Sequence, residues 1–351
     1  MVEHFITNGM SKIYAILFAG LLLSCSQNSN ELDTYQRIRG EAQGTTYSIS
    51  IDSSKSETIT KAKIDSLFDR IDSSLSVWKN NSVISVFNSV DSLKVNDPHF
   101  LTVYYRSEEL RNLTEGAFNA QIAPLVKIWG FGKNGIKHTT EVSPDSLLKL
   151  VHNEILTDAD SVNEAIIFKK LPGQSLDVNG IAQGYTVDVL AEYIKSKGVL
   201  NFMIEVGGEV RAEGKNEKGE NWKIGIDKPL EDLSKRELEA VAEISGRALA
   251  TSGSYRKFYE LDGKKYSHTI NPKTGYPVDH GLLSVSVLAS NCTNADAFAT
   301  AFMVMGKDKT VEFVNAHPEL NLDVFLIYSG DGGNLDTHQT EGFTLAEERT
   351  N

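Results

Sequence analysis

Residues 175–210 read SLDVNGIAQGYTVDVLAEYIKSKGVLNFMIEVGGEV, and the order of elements in this stretch decides the fold. Ser175 to Val178 predicts a strand whose end carries Asp177 and which turns through Gly180. Ile181 to Lys197 predicts a helix, stopped at Gly198, because glycine tolerates the left-handed turn that ends helices. Leu200 to Val206 predicts a second strand, closed by Gly207-Gly208.

Flanking segments extend the mixture. Thr45 to Ile51 (TTYSISI) alternates and predicts a strand after Gly44. Ile64, Leu67, Phe68, Ile71 and Leu75 fall on one helical face. Pro98 to Leu113 predicts another helix, and Ser143-Pro144 an N-cap with proline in the first turn of a short helix through Val151. Ala165–Phe168, Asn221–Asp227, Leu282–Ala289 and Leu322–Tyr328 predict strands, with a last short strand expected around Phe343. Asn294–Met305 and Lys307–Ala316 predict helices. Strands and helices mix without regular βαβ alternation, which favours α+β over a doubly wound sheet. No linker interrupts residues 41–345, so one large domain of two lobes is expected, with the active site between them.

The chain of 351 residues carries 35 Lys and Arg against 47 Asp and Glu, a net charge of −12. That balance argues against broad nucleic-acid binding, which needs cationic neutralisation of phosphates. It permits a phosphate-bearing small ligand that arrives with a divalent cation. A hydrophobic share of 40% excludes wholesale disorder. Two cysteines, Cys25 and Cys292, exclude a disulfide-rich scaffold and a cysteine-ligated zinc or iron–sulfur site.

The N-terminus reads as an address. Lys12 precedes the apolar run Ile13–Leu23, which suits a signal peptide better than a membrane span of about 20 residues. Met10 is the favoured translation start. Leu22-Leu23-Ser24-Cys25 resembles the bacterial lipobox, which makes Cys25 the expected lipidated residue. Residues 1–24 are then a leader, 25–40 a polar tether, 41–345 the functional domain and 346–351 a tail.

Four clusters bear chemistry. Asp296 and Thr300 share a helical face and offer hard oxygens suited to Mg²⁺, although Asp296 would equally serve as a carboxylate complementing a helix dipole. Asp177–Tyr185 joins a strand to a helix through Gly180 and matches neither GxGxxG nor a Walker loop. His268 in the run SHTINPKTG is a candidate general base or phosphate contact, or a structural histidine. Glu205–Val210 holds paired glycines that permit close ligand approach or a tight hairpin turn. No GxSxG elbow or HExxH pair occurs. Trp78, Phe118 and Trp129 could face a ring or fill the core.

Taken in order, these segments resemble the FAD:protein FMN transferase (ApbE-type) family. The resemblance rests on Gly44–Tyr47, Leu75–Asn88, Gly116–Gly132, Asp177–Asp188, Val206–Glu209, Ser252–Phe258, His268–Pro277 and Ala295–Thr300. It implies an α+β fold of mixed, mainly antiparallel sheets with packed helices. It implies Mg²⁺ at Asp296, Thr300 and the Gly180 carbonyl. It places FAD, as substrate, along Gln43, Trp78, Phe118, Asn119, Ala120, Asp177, Gln183 and Ile270, and His268 at the reacting pyrophosphate. The implied reaction is Mg²⁺-dependent transfer of FMN to a threonine or serine hydroxyl of an acceptor protein, with AMP released. The implied acceptors are flavin-carrying subunits of extracytoplasmic redox complexes. The implied setting is the bacterial cell envelope, lipid-anchored and facing the periplasm. A Mg²⁺-dependent FAD diphosphatase and a non-enzymatic flavin-binding lipoprotein remain alternatives. Gln183 stands where many members have Lys, Asn119 and Asn271 replace Asp, Lys273 replaces Arg, and Gln43 stands where Met is frequent.

Overall fold

The computed structural model describes residues 35–54, 59–131, 143–161, 163–230, 236–254, 258–261, 264–330 and 334–346. The expected leader, Cys25 and most of the expected tether lie outside the described residues, as do Tyr255 and Arg256.

Strand β1 (Tyr35–Ala42) opens the described chain and pairs antiparallel with β2 (Thr45–Asp52). Residues 35–40, expected to end the tether, therefore belong to the sheet. The polar run YQRIRGEA concealed the strand because it is an edge strand held by backbone pairing, with only Tyr35 and Ile38 buried. The two-residue turn between them has Gln43 and Gly44 both at positive φ, 54° and 74°, which matches the right-handed twist of a hairpin.

Six further strands complete the main sheet: β6 (Phe202–Val206), β7 (Glu209–Glu213), β10 (Arg247–Gly253), β13 (Leu282–Ala289), β14 (Asp323–Ser329) and β15 (Leu335–Gln339). The order is β1-β2-β6-β7-β10-β13-β14-β15, every neighbour antiparallel. Alternation sorts side chains between the faces. Ala248, Ala250, Val285, Val287, Val324 and Leu326 point to one side, and Leu249, Leu288, Phe325 and Ile327 to the other.

The second face is covered by the hairpin β8 (Trp222–Asp227) and β9 (Leu238–Ile244). Phe343 plugs the same face, its ring 5.7 Å from that of Phe325. The last strand is thus β15, and Phe343 is a buried side chain in irregular chain beyond it; core burial accounts for its hydrophobicity.

The first face carries the helices. These include α1 (Lys61–Leu75), α6 (Ala182–Ser196), α7 (Cys292–Met305) and α8 (Lys307–Ala316). Helix α7 is apolar nearly all round, as a helix sandwiched between a sheet and other helices must be. The same core continues under α2 (Val83–Ser89), α3 (Pro98–Leu113) and a three-stranded sheet of β3 (Ser92–Val95), β5 (Glu164–Lys169) and β4 (Ile155–Ser161). Helices α4 (Ala123–Ile128) and α5 (Pro144–His152) enclose a smaller cluster of Leu125, Trp129, Val151 and Ile270. The hairpin β11 (Phe258–Leu261) and β12 (Lys264–Ser267) leads to His268.

Residues 175–178 lie in irregular chain and pair with no strand. Their backbone is satisfied instead by the Asn88 amide, which donates to the Leu176 carbonyl at 2.8 Å and accepts from its N–H at 2.8 Å. The Asp177 N–H donates to the Ala120 carbonyl at 2.7 Å. Asn88→Ala would leave both Leu176 groups unpaired, at a cost of roughly 1–3 kcal/mol per buried group. A lowered melting midpoint is expected, and an unchanged one would show that water replaces the amide.

Candidate active site

The sequence expectation places three oxygen donors at the α6–α7 junction. Asp296 lies in the second turn of α7 and is only 5% exposed. Its Oδ2 accepts the Gly184 N–H of α6 at 3.0 Å. Burial pushes its carboxyl up to about 7 from an ordinary 3.8, because a charge in an apolar interior loses its hydration. Thr300 follows on the same face, one turn on. A Cβ on Gly180 would lie 2.9 Å from Thr300 Oγ1, so the Gly180 backbone sits directly against that side chain. Gly184 allows the helices to touch: a Cβ there would run into the Cys292 carbonyl oxygen.

This gathers a carboxylate, a hydroxyl and a peptide unit, the hard-oxygen set that Mg²⁺ accepts. Among the described residues, no group of three or more His, Cys, Asp or Glu is placed to hold a metal. A cation at this junction would therefore rely on the mixed set. The arrangement fits one, since a buried carboxylate that ionises gains most from a positive partner.

Beside this junction lies the turn between β6 and β7. Gln183 Nε2 donates to the Val206 carbonyl at 3.2 Å and fills the space a side chain on Gly207 would need. Gln43 Nε2 donates to Asp72 Oδ1 at 3.2 Å and to Thr186 Oγ1 at 3.0 Å, while its Oε1 is buried without a partner. An orphaned buried acceptor costs stability unless a ligand donates to it. Asp72 also meets Lys79 Nζ at 3.6 Å, next to Trp78, which is 56% exposed. So large an exposed aromatic is available for stacking.

The Phe118–Gln121 segment and the His268–Val278 turn are both held by α5 and the end of α4. Asn119 Oδ1 caps the following short helix through Gln121 N–H at 2.8 Å, and its Nδ2 donates to the Val151 carbonyl at 3.2 Å. The amide is thus committed to the scaffold. Phe118, Ala120 and Ile270 are buried in the core. Asp177 accepts the Asn179 N–H at 2.9 Å, and burial raises its carboxyl above the usual range.

His268 precedes a turn closed by Val278 N–H to Thr269 O at 3.0 Å and Asn271 N–H to Tyr276 O at 2.8 Å. Trp129 Nε1 clamps it by donating to the Gly275 carbonyl at 2.8 Å. The half-buried imidazole stands edge-on to Phe131, ring centres 6.2 Å apart. Sequence reasoning gave Asn88, the end of the Leu75–Asn88 motif, no role, since no local signal marks it as a strand substitute. Asp188 closes the Asp177–Asp188 motif but was given no role, and Arg211 was not singled out, because their partners are distant in the chain.

The charge at Asp296 gives a pH expectation. Its folded pKa is about 7, above the unfolded 3.8, so the metal-free protein binds more protons folded than unfolded across that window. Stability without metal then falls as pH rises from about 4 through about 7. A cation that pairs with the ionised form would restore it. The rise in melting midpoint on adding Mg²⁺ should therefore be larger at pH 8 than at pH 6. Equal shifts at both would remove Asp296 from the cation's ligands.

A model of the ApbE family matches residues 43–325. The chain is 33% identical over 336 residues to the FAD:protein FMN transferase of Haemophilus influenzae, covering 92% of this chain and 94% of that protein. It is 31% identical over 342 residues to the protein of the same name in Escherichia coli K12, covering 94% and 95%. The solved structure of flavin transferase ApbE from Vibrio cholerae matches with a TM-score of 0.75 at 31% identity, over 88% of this chain and 98% of that one. The ApbE protein of Thermotoga maritima matches with a TM-score of 0.73 at 27% identity, over 86% and 96%. Matched by the family's sequence pattern and by its solved structures over most of its length, this chain belongs to the ApbE family.

Proposed function

We propose that this chain is an FAD:protein FMN transferase that works with Mg²⁺, places FMN on a threonine or serine hydroxyl of an acceptor protein, and releases AMP. Relatives covering more than nine-tenths of the chain bear the name of that transferase. The observation that carries the metal part is the buried Asp296 with Thr300 one turn on, set against the Gly180 backbone.

Gly180, Asp296 and Thr300 would hold Mg²⁺, which when bound supplies positive charge to a pyrophosphate. Gln43 would offer its unpaired Oε1 to a donor of FAD, and Trp78 its exposed face to a ring. Asp177, Gln183 and the Phe118-Asn119-Ala120 and Ile270 segments would complete the wall. Gln183 brings no charge, so the pyrophosphate is not gripped by a lysine at this position. His268 accepts the proton of the acceptor hydroxyl as its oxygen bonds to the FMN-side phosphorus. The bond from that phosphorus to the bridging oxygen breaks, and AMP leaves with the electron pair.

The deciding experiment incubates the chain from Ser26 onward with FAD, Mg²⁺ and a threonine-containing acceptor domain. An acceptor heavier by one FMN, with AMP released, is expected. Free FMN and AMP beside an unmodified acceptor would make the protein a diphosphatase for that pair. FAD bound and intact would leave a carrier.

We also infer that Cys25 carries lipid and holds the protein in the bacterial envelope facing the periplasm, where flavin-carrying redox subunits would be its acceptors. The lipobox-like Leu22–Cys25 run supports this. Cys25→Ser should shift the protein from the membrane to the soluble fraction; a variant that stays with the membrane overturns it.

A further inference from the structure

We propose that Asp188, backed by Arg211, is a positioning residue that fixes the first turn of α7 against α6 and thereby sets Asp296 and Thr300 for cation binding. The inference rests on the metal reading of Asp296 given above.

Asp188 stands one turn after Gly184 on α6. Its Oδ1 accepts the Cys292 N–H at 2.9 Å, and its Oδ2 accepts the Thr293 N–H at 2.8 Å and the Thr293 hydroxyl at 2.6 Å. These are the first two residues of α7, whose N–H groups have no partner within the helix. The helix already has a local cap, since Asn291 Oδ1 accepts the Asn294 N–H at 2.8 Å. Asp188 thus adds a second cap from another element, with a negative charge where the helix dipole favours one.

Arg211 holds that carboxylate from behind. It rises from β7 on the helix-facing side of the sheet, is 8% exposed, and donates from Nη1 to Asp188 Oδ1 at 2.8 Å. A second guanidinium nitrogen, Nη2, meets Glu213 Oε1 at 3.3 Å and Glu192 Oε1 at 3.4 Å. Arg106 of α3 adds a strap, its Nε donating to Asn294 Oδ1 at 2.9 Å.

Two rungs therefore join α6 to α7. Asp188 grips residues 292 and 293, and one turn earlier on α6 the Gly184 N–H grips Asp296. Asp296 lies one helical turn beyond Cys292 and Thr300 one turn beyond that, on a rigid rod. Releasing the first rung lets α7 rotate or slide, and the carboxylate and hydroxyl move together relative to Gly180. Groups that hold metal ligands in place are commonly worth about 10–100-fold in metal affinity.

The test uses the full chain purified in detergent, with Mn²⁺ as probe. Free Mn²⁺ is counted by electron paramagnetic resonance, then Mg²⁺ is used to displace the bound ion. Asp188→Ala should weaken Mn²⁺ binding about 10-fold or more. The Mg²⁺ concentration for half-maximal FMN transfer should rise by the same factor, while kcat at saturating Mg²⁺ stays within about threefold. Arg211→Met should show a smaller loss in the same direction, and Arg211→Lys should recover most of it. A folded Asp188→Ala chain that binds Mn²⁺ as the parent does overturns the proposal. So does a kcat loss that added Mg²⁺ fails to recover, which marks a merely structural role. If Asp188→Ala does not fold, equal Mn²⁺ affinity in Arg211→Met, Arg211→Lys and the parent overturns it. A parent chain that binds no Mn²⁺ removes the metal reading itself, a distinct result from a parent that binds and variants that match it.

Discussion

Asp296→Ala should reduce Mg²⁺-dependent FMN transfer by about 10³-fold or more, since the loss of one charged ligand forfeits several kcal/mol of charge stabilisation. The same variant should be no less stable than the parent in the absence of metal at pH 8. The reason is the environment of the carboxylate. It is buried, it accepts a backbone N–H from Gly184, and burial outweighs that hydrogen bond to leave its pKa at about 7. Above that pH the metal-free parent carries an uncompensated interior charge, which alanine removes at the expense of one hydrogen bond. Activity and stability should thus move in opposite directions. Asp296→Asn separates the contributions, because its amide oxygen can still accept from Gly184 while the charge is gone. It should fold, lose transfer, and show no Mg²⁺-induced rise in melting midpoint. Transfer near the parent rate in either variant, or a retained Mg²⁺ shift, would sink the assignment.

The parts of this site that the sequence disclosed are those with local chemistry. The Asp296/Thr300 spacing needs only a helix to become a face, and α7 supplies it. Gly180 and Gly184 carry their meaning in their missing side chains, against Thr300 and the Cys292 carbonyl. What stayed hidden depends on partners far along the chain. Asp188 is 104 residues from Cys292, so no window of sequence shows that it caps α7. Asn88 replaces a strand beside Leu176 with a single amide, which makes residues 175–178 look like part of a sheet they do not join. Strand β1 was hidden for the opposite reason: two buried apolar side chains are too few to show periodicity, and pairing with β2 does the rest. The fold class survived these misreadings because the apolar patterns of α1, α6, β2, β6, β13 and β14 are strong and local, and their mixed order excludes regular βαβ winding. Family membership was legible for a further reason, that short motifs recur in a fixed order along nearly the whole domain.

His268→Ala should lower the turnover of FMN transfer about 10²–10⁴-fold, the usual worth of a positioned general base. FAD affinity should change by less than about threefold, because the wall around His268 is held by other groups. The turn after it is closed by backbone bonds between Thr269 and Val278 and between Asn271 and Tyr276. Trp129 fixes the Gly275 carbonyl from outside the turn, and Ile270 is buried against Trp129, Leu125 and Val151. Removing an imidazole that stands edge-on to Phe131 leaves all of these in place. The variant should therefore fold and bind FAD, yet accumulate unreacted FAD beside an acceptor. The split between the two constants is the informative quantity. A base that acts only as the acceptor oxygen bonds to phosphorus contributes to the transition state and little to the ground state, so its loss appears in kcat. A parallel loss of affinity and turnover would make His268 a phosphate contact in the ground state. The proton of the acceptor hydroxyl would then need another destination.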